Sequence, residues 1–303
     1  MIRWSDNYIT GITEIDEEHK KLFAVAAQIY DKVRSRGHDE KIQIFVLREG
    51  LHYLNGYFNY HAAREEAYMK KIGFKGYELH EMQHDDFQSV QMGKYQKMLN
   101  SGSCSMDDIW DFLGNGIGWL LEHIATADML IVGKGVHAAP VKPDVNISVL
   151  EQTLDSLFAA TLNVKTNTHV VDQTYCGSPY GNVLYQMMVC EREGATNTLI
   201  AGIERSFVAA VANMLFGERM KDDSAVVLHT VEAFGAQFWI SLHRMLTGDE
   251  AGIRVKESKL LSGDDVSDLV KTMKPAISIL FSSDVGKFSV STTNPYFLNM
   301  TAN

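Results

Sequence analysis

The side chains best suited to chemistry in this sequence are histidines, and they are concentrated in its first half. Eight of the eleven histidines fall within the first 137 residues of a chain of 303. Two pairs stand four residues apart in helical surroundings, His61 with Glu65 and His80 with His84. Because four residues turn an α-helix by about 400°, both members of a pair lie on one helix face. Each pair is therefore predicted to hold one metal ion or two adjacent ones.

Three more residues extend this set to the first and the fourth predicted helix. His19 lies within EIDEEH, and His123 and Asp128 lie within WLLEHIATAD. The last two are five residues apart, about 140° around a helix, so their spacing alone does not pair them. Four helices that all offer possible ligands favour a shared metal site. The other histidines of this half are interpreted as structural or exposed: His38, His52 and His137.

The types of the seven side chains limit the metal. Five imidazoles, two carboxylates and no thiolate suit iron, manganese or zinc, and they argue against a structural zinc site of the cysteine type. In a site with two six-coordinate irons, five histidines, two bridging carboxylates and one bridging oxo or hydroxo group fill eleven of the twelve positions. The vacant position is what reversible O2 binding requires.

A second arrangement is that of the ferritin-like proteins, which use two ExxH motifs and a glutamate from each of two other helices. Glu49 with His52 and Glu81 with His84 fit the ExxH spacing. This alternative gives no role to four of the other histidines, and it is therefore disfavoured. The histidines left over are His19, His61, His80 and His123.

The elements that must position these residues are helices. Apolar residues recur at spacings of three and four in four segments, and the segments are predicted at about 17–36, 39–72, 75–99 and 106–132. Four helices with short connections predict an all-α, up-down-up-down four-helix bundle over residues 1–136. Two glycines and two prolines in GKGVHAAPVKP indicate a linker, which is placed at 137–143.

Residues 144–303 are predicted to form a separate α+β domain with a mostly antiparallel sheet. Alternating patterns predict strands near 182–190 and 196–203, and three β-rich runs near 253–261, 276–282 and 287–293. Helices are predicted near 145–161, 207–216 and 226–246.

Composition excludes several classes of partner. Acidic residues outnumber basic ones by 38 to 28, for a net charge of −10, so neither nucleic acid nor an anionic membrane surface is an expected partner. No apolar run of about 18 residues predicts a membrane span, and the first residues do not resemble a signal peptide. Three cysteines without a CxxC motif fit a reducing cytosol, so a cytoplasmic location is expected.

Residues 1–132 resemble bacterial hemerythrin. The resemblance is carried by WSDNYITGITEIDEEHKKLF, HAAREEAYM, HEMQHDDF and WLLEHIATAD. It implies two iron ions with an oxo or hydroxo bridge, O2 as their ligand, and Glu65 and Asp128 as bridging carboxylates. The seven metal ligands that it implies are His19, His61, Glu65, His80, His84, His123 and Asp128.

The same resemblance implies an O2 pocket lined by Trp4 and Leu120. One residue departs from the family pattern, because phenylalanine usually follows the histidine of the HxxxE pair and this chain has Ala62. A smaller side chain is expected to widen the pocket and to admit water. We therefore expect the O2 complex to autoxidise faster than in typical relatives.

The second half resembles the CheX family of chemotaxis phosphatases in the order of its elements and in MLFGE at a helix end. That family carries ExxN on a long helix: the acid engages a lysine of the phosphorylated response regulator, and the amide orients the attacking water. The corresponding stretch here is TVEAFGAQFW, in which Glu232 fits the acid and Gly235 occupies the amide position. Glu232 is the candidate catalytic residue. A phosphatase and a binding domain without catalysis both remain open.

These inferences predict a cytoplasmic O2-binding, non-haem diiron sensor whose hemerythrin-like module regulates a CheX-like module through the linker. The CheX-like module is expected to act on or bind a phosphorylated response regulator through its receiver domain. CheX relatives commonly dimerise, so a homodimer through the second domain is also expected. The alternatives are an O2 carrier or scavenger, or an NO or redox sensor whose second domain only binds.

Overall fold

The chain folds into two compact units. The computed structural model describes residues 2–36, 40–135, 145–217, 221, 224–248, 252–261 and 266–300. The first unit comprises Met1–Gly135 together with Ala212–Ala233, and the second comprises Val136–Val211 and Phe234–Asn303. The predicted linker, 137–143, lies outside the described residues.

Four helical rods form the bundle of the first unit. The third and fourth rods are each interrupted by a short π-helical segment, Phe87–Met92 and Ile124–Asp128. The helices are α1 (Thr13–Arg36), α2 (Glu40–Ile72), α3 (Tyr77–Asp86), α4 (Gly93–Ser101), α5 (Met106–His123) and α6 (Met129–Ile131). The predicted helical bundle is confirmed, and the rod ends lie within about four residues of their predicted positions.

Local sequence explains where the rods begin and end. Gly102 ends α4 in the left-handed conformation at φ 71°, which glycine adopts without a Cβ penalty. Ser105 then caps α5: its hydroxyl accepts the backbone N–H of Asp108, and the Asp108 carboxylate accepts the Ser105 N–H in return. The buried core of the bundle holds large apolar side chains such as Leu47, Met69, Phe87, Phe112 and Leu121.

The second unit is built around a six-stranded sheet with the order β1-β5-β6-β3-β2-β4. Every pair of neighbouring strands is antiparallel, which confirms the predicted α+β class. The strands are β1 (His169–Asp172), β2 (Val183–Arg192), β3 (Ala195–Glu204), β4 (Arg254–Leu261), β5 (Ile277–Ser282) and β6 (Lys287–Thr292). The helices after the bundle are α7 (Ile147–Leu162), α8 (Arg205–Phe216), α9 (Ala225–Thr247) and α10 (Val266–Met273).

Two elements, β1 and α10, were not predicted. Strand β1 has four residues at the edge of the sheet, and α10 has eight, so neither is long enough for a clear periodic pattern. By length and composition α9 could also cross a membrane, although 61% of its most apolar window is buried inside the structure. A buried core helix passes the same test, so α9 is weak evidence for a membrane.

Candidate metal centre

The bundle brings all seven predicted ligand residues together in its interior. Helix α1 supplies one, α2 and α3 supply two each, α5 supplies one, and the π-helical segment Ile124–Asp128 supplies the last. Each is at most 3% exposed: His19, His61, Glu65, His80, His84, His123 and Asp128. Seven polar side chains buried at one place require partners, because an unpaired buried polar group costs several kcal/mol, roughly 2–7.

The π-helical segment explains how His123 and Asp128 meet despite their five-residue spacing. A π-helix closes hydrogen bonds from i to i+5, so residues five apart lie above one another. The Nε2 atom of His123 is 3.0 Å from Oδ1 of Asp128. The local change of helix type therefore turns the Asp128 carboxylate toward the other ligands.

One group of possible ligands contains three histidines and a carboxylate: Glu65, His80, His84 and His123. The Nε2 atom of His123 lies 3.1 Å from Nε2 of His84 and also 3.1 Å from Nε2 of His80. The Oε2 atom of Glu65 lies 3.1 Å from Nε2 of His80. Three imidazole nitrogens and an anionic oxygen thus converge on one point, where a cation would satisfy all of them.

The second group contains two histidines and two carboxylates: His19, His61, Glu65 and Asp128. Glu65 belongs to both groups. Asp128 also reaches both, because its Oδ2 lies 3.1 Å from Nε2 of His19 while its Oδ1 lies 3.0 Å from Nε2 of His123. Each carboxylate can therefore bridge two adjacent metal ions.

Several atoms of the site carry no hydrogen bond to any part of the chain that the structure describes. They are both ring nitrogens of His19, Oε1 of Glu65 and both carboxylate oxygens of Asp128. Buried polar groups in native proteins almost always have a hydrogen-bond partner. Several buried polar atoms without one, concentrated at one point, therefore indicate a bound ligand. The residues present therefore fit a metal site of nitrogen and oxygen donors.

The electrostatics of part of the cluster suit metal ligands. At His61 and His80 burial acts to lower the pKa, but the nearby Glu65 carboxylate outweighs it and raises the pKa of both imidazoles. Burial acts to raise the pKa of Asp128, but nearby His123 and His19 outweigh it and hold that pKa well below its usual range. Burial lowers the pKa of His123, and burial with the adjacent imidazoles of His123 and His80 lowers the pKa of His84. An ionised carboxylate and neutral imidazoles are the forms that bind metal ions.

Two outer carboxylates support the site and were not predicted. Oε2 of the buried Glu18 lies 3.4 Å from Nδ1 of His61, and its other oxygen lies 3.0 Å from the Arg64 guanidinium. Oε1 of Glu66 lies 3.2 Å from Nδ1 of His84. Such contacts fix the orientation of metal-binding imidazoles and raise their basicity. Helical spacing did not indicate either glutamate, because each directly adjoins a candidate ligand in sequence.

The predicted pocket residues lie in the same unit. The ring of Trp4 has its centroid 6.3 Å from that of His19 and 5.5 Å from that of Phe23. Ala62 and Leu120 are each 8% exposed. Trp4 therefore covers the two-histidine side of the site.

The amide position of the predicted phosphatase motif is packed against the sheet of the second unit. A Cβ atom on Gly235 would lie 2.6 Å from Oε1 of Gln186 in β2. The Gln186 amide donates a hydrogen bond to Oγ of Ser258 at 3.0 Å. A side chain at position 235 would therefore require the end of the Gln186 side chain to shift.

Glu232 lies earlier in α9, in the part that belongs to the first unit. The pKa of the Tyr95 phenol is raised mainly by burial and by Asp111, and Glu232 contributes to the rise. His229 is held by carboxylates of α5, with Nε2 3.2 Å from Oδ1 of Asp107. The structure thus places Glu232 near the Tyr95 phenol.

Comparisons with known proteins agree with the arrangement of the bundle. The family described as "Hemerythrin HHE cation binding domain" matches residues 10–134. The bacteriohemerythrin of Clostridium acetobutylicum is 28% identical over 129 residues, which cover 42% of this chain and 96% of that protein. The bacteriohemerythrin of Pseudomonas aeruginosa is 26% identical over 125 residues, which cover 41% of this chain and 75% of that protein.

Among solved structures, a "CheC-like superfamily protein" from Shewanella sp. PV-4 aligns with a TM-score of 0.36 and 13% identity, covering 48% of this chain and 94% of that one. The family match and the bacteriohemerythrin relatives coincide with the residues that build the metal centre. The predicted resemblance to bacterial hemerythrin is therefore confirmed for residues 10–134, which match the hemerythrin cation-binding domain.

Proposed function

We propose that the bundle holds two iron ions and binds O2 reversibly. The observation that carries this proposal is the pair of ligand groups that share Glu65, one with three histidines and one with two. Iron would supply the electrons that reversible O2 binding needs. The chain supplies the imidazoles, the two carboxylates that span both groups, and a water-poor interior.

The unequal ligand groups support an open position on the two-histidine side. With Glu65 and Asp128 as bridges, the ion beside His80, His84 and His123 has the larger set of protein ligands. An ion held beside His19 and His61 would have one protein ligand fewer, so O2 would bind on its side. Trp4 packs near His19 there and limits the access of water.

Anaerobic loading with ferrous iron followed by O2 titration tests the proposal. We expect two irons per chain, an absorption change on adding O2, and its reversal on removing O2. His61→Ala should lower the iron content, whereas His52→Ala, at a histidine outside the cluster, should leave it unchanged. One iron per chain, or oxidation that O2 removal does not reverse, would exclude reversible binding at a diiron site. Parallel titrations with NO show whether the site prefers NO to O2, which is what the alternative of an NO or redox sensor predicts.

We further propose that the second half of the chain binds a phosphorylated response regulator in the cytoplasm and that iron and O2 state control this binding. Two features support this proposal. The order of helices and strands resembles that of the CheX family, and Glu232 stands where that family carries the acid that engages the regulator. Gly235 favours binding over catalysis, because α9 has no side chain at the amide position.

The corresponding experiment measures binding and dephosphorylation of receiver domains charged with acetyl phosphate, with the iron site deoxy, oxy and fully oxidised. We expect affinity for the charged receiver to depend on the state of the site, and Glu232→Gln to weaken it. Rapid turnover would establish a phosphatase instead. If the affinity for the charged receiver does not depend on the state of the iron site, or if the receiver does not bind, the regulatory proposal fails. The function that then remains is that of an O2 carrier or scavenger. Sedimentation of the full chain tests the predicted homodimer.

A further inference from the structure

A groove runs along the surface of the bundle between α1 and α2. Its volume is about 410 Å³. The residues that line it lie between Lys21 and Lys32 on α1 and between Val46 and Tyr57 on α2. At a rise of about 1.5 Å per residue, each wall is roughly 16 Å long, which is about three turns of a helix. The groove therefore has the dimensions of a site for a short helix.

The floor of the groove is apolar and partly open to solvent. Val25 and Ile29 stand four residues apart, so they share one face of α1, and both are half-buried. Ala26 and Leu54 adjoin them and are half-buried as well. Transfer of apolar surface out of water is the main favourable contribution to most protein–protein association. The floor is therefore suited to the apolar face of a partner.

Aromatic side chains stand along the α2 side of the groove. Among the residues that the structure describes, four of the five exposed phenylalanine and tyrosine side chains lie on α2: Phe45, Tyr53, Tyr57 and Tyr60. Tyr53 and Tyr57 line the groove, and the ammonium nitrogen of Lys32 lies 5.1 Å from the centroid of the Phe45 ring. Exposed aromatic side chains concentrated on one face are typical of protein–protein binding surfaces.

The charges at the groove favour an acidic partner. Lys21 and Lys32 line the α1 wall and are exposed, and Glu49 lines the α2 wall. Arg48, next to Glu49, is also exposed. This basic character contrasts with the net charge of −10 of the whole chain. Two copies that met through this same face would bring lysines close to lysines, so an acidic partner fits the groove better than a second copy does.

We propose that the α1–α2 groove docks an acidic amphipathic helix of a partner protein. The apolar face of that helix contacts Val25 and Ile29 on the floor, and its carboxylates pair with Lys21 and Lys32 at the two ends of the α1 wall. Amphipathic helices bind apolar grooves in this way, through residues at spacings of three and four. The proposal concerns the surface of the bundle and does not depend on iron, on O2 or on the second half of the chain.

Two synthetic peptides test the proposal. Both are about four helical turns long, are locked as helices by the same covalent staple, and carry the same leucine stripe. The flanking positions are glutamate in one peptide and lysine in the other. Fluorescence anisotropy with the full-length chain should show one saturable site that binds the acidic peptide at least about tenfold more tightly than the basic one. Tyr53→Ala should weaken binding about fivefold or more, whereas Tyr296→Ala, at an exposed tyrosine of the second unit, should not.

Charge reversal then tests the role of the lysines. Lys21→Glu combined with Lys32→Glu should make the chain prefer the basic peptide, whereas Lys97→Glu, at an exposed lysine of α4, should keep the preference of the wild type. Lys32→Ala alone should weaken binding of the acidic peptide, and it keeps the test decisive if the double variant misfolds. Equal binding of the two peptides, no saturable binding, or an unchanged preference in the folded double variant overturns the proposal. Self-association of the chain that Tyr53→Ala abolishes, without peptide binding, would show that a second copy occupies the groove and would also overturn it.

Discussion

Glu18 is a buried carboxylate that mediates between a candidate ligand and the surface. It contacts the inward-facing His61 on one side and Arg64, whose side chain is 40% exposed, on the other. A carboxylate that contacts the second ring nitrogen of a metal-binding imidazole fixes the orientation of the ring. It also makes the imidazole a stronger electron donor to the metal. Arg64 offsets the cost of burying the charge of Glu18.

We predict that Glu18→Gln lowers the affinity for iron about tenfold, the lower end of the range for such outer residues, because the amide keeps the shape but loses the negative charge. Chelator competition with the ferrous protein measures the affinity. Glu17→Gln is the matched control, since Glu17 is an exposed neighbour that pairs only with Lys20 in the part of the chain described. Equal affinities for the two variants would show that Glu18 only fills space.

Ala62 follows His61 and is 8% exposed, so a larger side chain there would enter the interior of the bundle. We predict that Ala62→Phe slows autoxidation of the O2 complex at least about threefold, because added bulk excludes the water that stabilises charge separation. Stopped-flow decay of the oxygenated absorption measures the rate. Ala63→Phe adds the same side chain at an exposed position and should decay as the wild type does. An unchanged rate in Ala62→Phe would show that the size of the side chain at position 62 does not control autoxidation.

Residue types and spacing indicated the candidates, and the resemblance to bacterial hemerythrin implied the full set of seven that the structure brings together. Their roles as ligands of iron stay a prediction. The outer carboxylates Glu18 and Glu66 were not predicted. A residue next to a ligand in sequence lies about 100° away on an ideal helix, so it gives no periodic signal. Only the packing of α1, α2 and α3 against one another decides that these side chains also turn toward imidazoles.

At the scale of elements, the sequence predicted helices from strong local signals and missed local changes of helix type. The sequence IATAD contains neither glycine nor proline, so nothing in it indicates that Ile124–Asp128 is π-helical. One extra residue in a helical turn is retained where the surrounding structure stabilises it, often at a functional site. Here the gain is the alignment of Asp128 with His123, which the five-residue spacing alone would not produce.

The second unit shows the same limit. Long alternating runs such as β2 and β3 were predicted because ten residues give a clear period. The order of the strands, in which β2 lies between β3 and β4, depends on contacts between residues about 70 apart in sequence. The packing of Gly235 on Gln186 is of this kind, and the empty amide position alone did not reveal it.

At the scale of the whole molecule, the compact units differ from a simple division at the linker. The predicted domains are 1–136 and 144–303, whereas Ala212–Ala233 packs with the bundle. The side chain of Tyr8 donates to Sδ of Met214 at 3.3 Å, and the N–H of Arg3 donates to the carbonyl of Leu215 at 2.7 Å. An apolar helix face predicts burial, but not which surface buries it, so these contacts could not be predicted from the pattern.

The closest of these approaches occurs at Gly114 in α5, the helix that also carries His123. A Cβ on Gly114 would lie 2.5 Å from Cβ of His229 and 2.7 Å from the backbone nitrogen of Thr230. Neither atom is the end of a flexible side chain, so the start of α9 would have to move. A Cβ on Gly116, two residues later in the same helix, would meet only Cδ2 of Leu54 at 4.0 Å.

We therefore predict opposite effects from the same substitution at these two glycines. Gly116→Ala should stabilise the full-length protein by about 0.5–1 kcal/mol, the gain in helix propensity. Gly114→Ala has the same propensity gain but adds a clash of about 1–3 kcal/mol, so it should lower the melting temperature. Thermal unfolding followed by circular dichroism, at matched iron content, measures both. A rise in both variants would mean that α5 and the start of α9 are not packed this closely in solution. A fall confined to Gly114→Ala would agree with the close packing of α5 against the start of α9.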